Sequence, residues 1–199
     1  MSIPEYVHAL YVDYMHLVAS DPRSLTEDET RSILYFRTEQ SLAAGGTNAD
    51  DIPRRVLKWI TSARAVDDFI AAAGRLPREN NRLPRAQVSA EERVLVEWLR
   101  YQRRPRTRET HCDYQRRRLV AIPGFLWDPI TDRWSGTFRD YERFLVRHRR
   151  APSVRSADPL ERHLAAWASK QRHLRRRGHL DPARESKLAT LPIWSWGAP

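Results

Sequence analysis

The chain has 199 residues, of which 41% are hydrophobic and 30% are charged, and its formal net charge is +10. This composition is typical of a globular protein with a highly charged surface, and it excludes an intrinsically disordered chain. No apolar stretch approaches the roughly 20 residues that a membrane-spanning helix needs, so we expect no membrane partner. The single cysteine excludes an internal disulfide, and the N-terminus lacks the regions of a signal peptide, so we expect a cytoplasmic location.

Arginine dominates the basic residues, because lysine occurs only at Lys58, Lys170 and Lys187. The planar guanidinium group donates two hydrogen bonds to a phosphate at once, so this bias favours a phosphate-bearing partner. The charge is uneven along the chain. Residues 1–52 hold three arginines and nine acidic residues, for a net charge of −6, whereas residues 53–130 and residues 131–199 each carry a net charge of +8.

Residues 1–52 form the first predicted unit, which faintly repeats a pattern that the rest of the chain shows twice. The positions that match the later copies are Tyr11, Tyr14, Pro22, Arg31, Ile33, Phe36, Gln40 and Leu57. An acidic unit is repelled by phosphate groups. We therefore expect it to contact a protein partner, to mediate self-association, or simply to complete the array.

Residues 53–130 form the second predicted unit, and its pattern recurs with almost no change in the third. Ten positions between Glu92 and Trp127 recur 69 residues later, and nine of the ten pairs are identical. Trp59, Phe69, Arg75 and Pro77 recur 75 residues later, so the second unit has six extra residues in a surface loop within residues 78–89. Self-similarity of this kind indicates repeated structural units.

Residues 131–199 form the third predicted unit, with three helices. The apolar stripes predict one helix before Pro152, a second that begins at Pro159 and ends near Gly178, and a third that begins at Pro182 and ends near Pro192. The apolar residues of these stripes are Trp134, Phe138, Tyr141, Phe144, Leu145, Leu160, Leu164, Trp167, Leu174, Leu188 and Leu191. With no strand alternation, we predict an all-α fold: a tandem array of three small three-helix units, similar to helix-turn-helix modules.

The seven tryptophans admit two interpretations. Aromatic side chains can stack on nucleobases. However, these tryptophans lie at helical spacing beside leucines, which favours a role in core packing.

The pattern Leu-x-x-Trp-x-x-x-Gln-Arg, followed by Leu and then by Pro-Gly-Phe-x-Trp or Pro-x-Trp-x-Trp, resembles the helicase-associated domain family. The resemblance covers residues 59–196 well and the N-terminal portion weakly. It implies short three-helix units that bind nucleic acid. The chain departs from the family in lacking the phosphate-binding loop of a helicase core, so the resemblance implies a stand-alone array of binding units.

The basic residues cluster at matching places in the two basic units, which favours a phosphate-binding stripe over a merely solvated face. We expect the following residues to contact DNA: Arg100, Gln102, Arg103, Arg104, Arg106, Arg108, Arg116, Arg117 and Arg118 in the second unit, and Arg147, Arg149, Arg150, Lys170, Gln171, Arg172, Arg175, Arg176, Arg177, Arg184 and Lys187 in the third. Such a protein would be associated with the nucleoid.

The Gln-Arg pairs admit a second role within this interface. Gln102 and Gln171 carry the amide that reads adenine, and Arg103 and Arg172 carry the group that reads guanine. Alternatively, each pair caps helix carbonyls or pairs with acidic residues of its own unit.

Two further classes of protein compete with a DNA-binding protein as interpretations of the sequence. The tripeptide His111-Cys112-Asp113 contains reactive side chains, but adjacent residues rarely supply catalytic geometry, and the scattered histidines have no metal-ligand spacing. We therefore expect a non-enzymatic protein without catalytic residues, metal ions or other cofactors. An RNA-binding or protein-scaffolding adaptor stays open as the alternative, because helical arrays and arginine-rich surfaces also serve those roles.

Overall fold

The computed structural model describes residues 3–46, 52–78 and 89–197, and within these ranges the chain forms nine α-helices and no strand. The predicted all-α fold is confirmed. None of the described helices has the length and apolar character that crossing a membrane requires. The chain divides into two compact units, Met1–Trp127 (unit 1) and Asp128–Pro199 (unit 2).

Unit 1 contains six α-helices in the described residues: α1 (His8–Val18), α2 (Glu27–Ala43), α3 (Arg54–Ala73), α4 (Ala90–Arg103), α5 (Pro105–Glu109) and α6 (Asp113–Ala121). Two short 3₁₀ turns, Glu5–Val7 and Pro22–Ser24, precede α1 and α2. Thr26 and Glu29 form a capping box that satisfies free N–H groups at the start of α2.

Unit 2 contains α7 (Pro129–His148), α8 (Pro159–Arg176) and α9 (Pro182–Ala189). Asp158 and Asp181 cap α8 and α9 through their carboxylates, and a proline occupies the first position of each helix. Gly178 follows α8 with a φ of 66°, the left-handed conformation that glycine adopts without strain. The predicted helix starts at Pro159 and Pro182 are therefore confirmed.

A proline accounts for the main difference between α4 and α8. Position 105 is a proline in unit 1, whereas the matching position 174 is a leucine. The residue before a proline is driven out of the helical conformation. Arg104 accordingly has extended backbone angles, and α4 ends at Arg103 while α8 continues to Arg176.

The sequence predicts a separate unit over residues 1–52. The structure instead places this N-terminal segment in unit 1. One hydrophobic core joins α1 and α2 to α3, α4 and α6. The ring centroids of Tyr14 and Tyr114 lie 4.9 Å apart, and those of Tyr35 and Trp59 lie 5.6 Å apart. The observed division at Trp127 falls close to the other predicted boundary, at residue 130. The extra loop residues 79–88 lie outside the described residues.

The tryptophans pack in or against the two cores, as their helical spacing predicts. Trp59 and Trp134 are each 7% exposed and lie at matching positions of α3 and α7. Leu160 is an exception to the predicted stripe of α8, because it lies in the first turn and is 56% exposed.

Candidate nucleic-acid interface

Both glutamines of the Gln-Arg pairs are buried, and each binds a tryptophan of its own unit. Gln102 is 2% exposed, and its Oε1 accepts a hydrogen bond of 2.9 Å from the indole of Trp59. Gln171 is 3% exposed and accepts a bond of 3.0 Å from the indole of Trp134. A buried amide that is already engaged does not reach the edge of a base. The predicted DNA contacts of Gln102 and Gln171 are therefore corrected: these residues join two helices of their own unit.

The arginine after each glutamine binds the C-terminal turn of its own unit. Nε of Arg103 donates to the carbonyl of Leu126 at 2.7 Å, and the guanidinium lies 4.8 Å from the centre of the Phe125 ring. The matching contacts in unit 2 join Arg172 to the Ser195 carbonyl at 2.7 Å and to the Trp194 ring at 4.6 Å. The guanidinium groups thus face their own units, so the predicted base contacts of Arg103 and Arg172 are corrected as well.

Two of the predicted phosphate ligands stack on the last tryptophan of their unit. Arg108 lies 4.7 Å from the centre of the Trp127 ring, and Arg175 lies 4.6 Å from that of Trp196. Arg175 also donates to Glu185 at 2.6 Å. Cation–π contacts of this kind hold the aromatic turn in place. These two arginines have a structural role, and Arg175 is in addition neutralised by a carboxylate.

The arginine run of α6 faces the acidic N-terminal segment of the same unit. Arg117 forms an ion pair with Asp13. Arg116 lies 3.6 Å from a carboxylate oxygen of Asp28 and donates to the carbonyl of His111 at 2.5 Å. Some of the acidic residues that give residues 1–52 their net charge of −6 thus pair with a basic helix of the same chain. These ion pairs engage Arg116 and Arg117 within unit 1, which disfavours their predicted DNA contacts.

Arg118 is fully buried between two carboxylates. It donates to Glu39 at 2.9 and 3.1 Å and also to Asp67. Burial by itself lowers the pKa of Arg118, but the two carboxylates more than offset it, and the pKa is raised. Burial in turn raises the pKa of Asp67. A buried cation of this kind cannot contact a phosphate, so the predicted contact of Arg118 is corrected too.

Arg150 belongs to a contact that both units share. It donates to Glu161 at 2.5 Å, and the N–H of Ser153 donates to the same carboxylate at 2.9 Å. The bond from Arg150 is the first cause that lowers the pKa of Glu161, to about 2. In unit 1 the same contact joins Arg75 and Glu92 at 2.7 Å. Arg150 therefore orders the turn between α7 and α8, although its side chain remains half exposed.

Six of the predicted cations of unit 2 are exposed and have no hydrogen bond or ion pair from their side chains among the residues that the structure describes. They are Arg147, Arg149, Lys170, Arg176, Arg177 and Lys187. In unit 1 the predicted set retains fewer of this kind. Arg100 pairs with Glu97 at 2.6 Å, Arg104 lies 5.4 Å from the centre of the Tyr101 ring, and Arg106 is exposed on α5. The free positive charge of the predicted interface is therefore concentrated on unit 2.

A groove of about 340 Å³ lies between α7 and the start of α9 in unit 2. Arg184 lies 5.2 Å from the centre of the Trp134 ring and donates to the hydroxyl of Thr131 at 3.2 Å. Lys187 and Ser135 also line the groove. Sequence reasoning identified the two basic residues but missed Thr131 and Ser135. They could be found from the alignment of the two copies, because they are polar whereas the matching residues 75 positions earlier, Val56 and Ile60, are apolar.

Of the reactive side chains at 111–113, His111 and Cys112 belong to the core of unit 1, whereas that of Asp113 is partly exposed. His111 and Cys112 are buried, and His111 Nε2 lies 2.9 Å from Gln102 Oε1. Burial, with the nearby charges of Arg116 and Arg108, lowers the pKa of His111 to about 4. The imidazole is therefore neutral near pH 7 and is held as a packing residue. In the described parts of the chain, no cluster of three or more His, Cys, Asp or Glu side chains is placed to hold a metal ion.

Comparison with known proteins finds no match: no family model, no curated protein and no solved structure is similar to this chain. The resemblance to the helicase-associated domain family therefore rests on the motif residues alone and stays a prediction.

Proposed function

We propose that this protein is a non-enzymatic DNA-binding protein that contacts the phosphate backbone of duplex DNA through unit 2, as a regulator or as a nucleoid or replication-site factor. The observation that carries the proposal is the set of six exposed cations of unit 2 without partners among the described residues, defined above. Basic side chains that lack acidic partners attract a polyanion and release its counterions on binding.

Phosphate contact is favoured over base reading, because the two glutamines best suited to adenine are buried. Arg176 and Arg177 are the strongest candidates among the six. Arg176 is the last residue of α8 and Arg177 is its C-cap, and both side chains are exposed to solvent. Binding of this kind depends strongly on salt and weakly on sequence.

The test is the affinity for a duplex DNA measured over a series of salt concentrations with the full chain. The double variant Arg176→Ala/Arg177→Ala removes two predicted phosphate contacts. We expect its Kd to rise about tenfold near physiological salt, and the slope of log K against log salt to fall by about 2.

The matched control is Arg117→Ala/Arg143→Ala, which removes the same charge. Both of these arginines are exposed, and both pair with an aspartate of their own unit. We expect this control to leave the slope unchanged. Equal affinity of the Arg176→Ala/Arg177→Ala variant and the wild type at all salt concentrations would sink the proposal. Competition with single-stranded DNA and with RNA tests the alternative of an RNA-binding adaptor, which tighter binding of RNA would favour.

A further inference from the structure

Helix α2 of unit 1 supplies a row of oxygen atoms to helix α6. The donors of α6 and their acceptors are the N–H of Asp113 with the Asp28 carboxylate at 2.9 Å, the N–H of Tyr114 with Ser32 Oγ at 3.1 Å, and the guanidinium of Arg118 with the Glu39 carboxylate at 2.9 Å. The start of α6 and its last basic residue thus bind oxygen acceptors, two of them anionic. Within unit 1, the oxygen atoms of α2 therefore satisfy the donors of α6.

In unit 2 the same position has no covering helix. The residues that match the three donors, 69 positions later, are Pro182, Ala183 and Lys187 at the start and on the body of α9. Proline has no N–H. The N–H of Ala183 and the ammonium group of Lys187 have no hydrogen-bond partner among residues 128–197, all of which the structure describes. Two of the three donor positions are therefore present in unit 2 without their acceptors.

The residues that surround this position are mostly apolar in unit 1, whereas the matching residues of unit 2 are polar or small. The residues at this position in unit 1 are Val56, Ile60, Cys112 and Tyr114, which are buried in the core that includes Tyr35 and Phe36 of α2, and the matching residues of unit 2 are Thr131, Ser135, Asp181 and Ala183. Helix α2 buries Tyr35 and Phe36 in the core of unit 1, so it needs an apolar surface to pack on. The groove of unit 2 lacks one, so its chemistry suits a small polar group rather than a packed helix.

We propose that the groove between α7 and α9 binds a backbone phosphate of the nucleic acid, with Lys187, Arg184 and the N–H of Ala183 as its donors. Arg184 replaces Gln115 of unit 1 and adds a second cation that has no counterpart there. Its stacking on Trp134 and its bond to Thr131 orient the guanidinium before any ligand arrives. The carboxylate of Asp181 is the one anionic group of the lining, and it accepts the N–H of Arg184 as the helix cap.

This inference rests on the proposed function for the source of the phosphate, and the first experiment separates the two. Inorganic phosphate is titrated into the ¹⁵N-labelled full chain, and the amide signal of Ala183 and the Nε–H signal of Arg184 are followed by NMR. We expect both signals to shift and to saturate at millimolar phosphate. The charge-reversal variant Lys187→Glu is expected to weaken this binding about tenfold or more.

The matched control is Arg155→Glu, a charge reversal on an exposed arginine in the turn between α7 and α8. It lies at the other end of α7 from the groove and is expected to leave the phosphate titration unchanged. A second experiment measures duplex DNA binding by the same two variants. We expect the Kd to rise about tenfold for Lys187→Glu and no more than about threefold for Arg155→Glu, which removes only long-range attraction.

The outcomes distinguish the two proposals. Phosphate-induced shifts in the groove together with no measurable DNA binding would retain the phosphate site and overturn the proposed function. Unshifted Ala183 and Arg184 signals, with DNA binding equally strong in Lys187→Glu and Arg155→Glu, would overturn the groove and retain DNA binding elsewhere on unit 2.

Discussion

Units 1 and 2 share their internal contacts and differ on one face. In each, a buried glutamine accepts the indole N–H of a tryptophan, an arginine binds the carbonyl between the last two aromatic residues, and a second arginine pairs with a buried glutamate. The face formed by α3 and α6 in unit 1 is covered by α2, whereas the matching face of α7 and α9 in unit 2 is open.

The difference shows that basic residues in two copies of one pattern can have different roles, pairing with carboxylates of the same unit in one copy and facing solvent in the other. On α6 the arginines neutralise carboxylates of the N-terminal segment, which lie far away in sequence. On α9 only Lys187, which matches Arg118, is a cation, and it is exposed, whereas Glu185 and Ser186 stand at the positions of Arg116 and Arg117. The positive charge of the α6 arginines is therefore paired within unit 1, whereas that of Lys187 is open to solvent.

Loss of the buried cation Arg118 is expected to destabilise the protein more than any other substitution considered below. Arg118→Leu leaves Glu39 and Asp67 buried without their cation, and we expect it to destabilise unit 1 by about 3–5 kcal/mol. Lys187→Leu at the matching position of unit 2 is expected to cost less than about 0.5 kcal/mol, because Lys187 is exposed. Amide hydrogen exchange of α6 and of α9 in the full chain measures the two effects separately. Equal losses of protection would show that the two faces are alike after all.

The second effect concerns pH and is confined to unit 1. His111 has its pKa lowered to about 4 in the folded protein, against 6.5 in the unfolded chain, and Leu180 stands at the matching position of unit 2. Between these values the unfolded chain binds the extra proton. The contribution of His111 is therefore fully present above pH 6.5 and is lost as the pH falls toward 4, by up to about 3 kcal/mol.

The measurement of this effect is the pH dependence of the free energy of unfolding in urea. His111→Leu is expected to flatten the loss of stability between pH 6.5 and 4, whereas His173→Gln, on the exposed face of α8, is expected to leave it as it is. An unchanged slope in His111→Leu would contradict the lowered pKa of His111, which burial and the charges of Arg116 and Arg108 cause.

The smallest of the three effects sharpens what the units share. Gln102→Leu and Gln171→Leu each leave a buried indole N–H without its acceptor, and we expect each to cost about 1–3 kcal/mol in its own unit. Thermal unfolding of each variant, beside its DNA affinity, provides the measurement. If Gln171→Leu had wild-type stability but weaker DNA binding, the result would support base reading by Gln171 and contradict its structural role.

Much of the fold is predictable because its signals are local. Asp158 and Pro159, and Asp181 and Pro182, define helix starts within a few residues, and the apolar stripes identify the tryptophans as core residues. The shared core of unit 1 is not predictable in this way. The match of the N-terminal segment to the other copies is faint, and no local pattern shows that Tyr14 packs on Tyr114.

The candidate site was predicted as a set of residues and only in part as a surface. Counting charges in the sequence treats Arg117 and Lys187 alike, yet Arg117 is paired with Asp13, 104 positions earlier in the chain. Likewise, Gln102 and Gln171 have the right chemistry for a base but lie inside the protein. Such outcomes depend on which distant residues the fold brings together.

The helices, the two matching copies and the excess of arginine can therefore be read from the sequence, since capping, periodicity and composition act over short stretches. Which arginines lack a partner depends on contacts between residues that are far apart in the chain. Packing α2 on one copy satisfies its donors and buries a cation between carboxylates, whereas the polar residues at the matching places in the other copy leave its donors open.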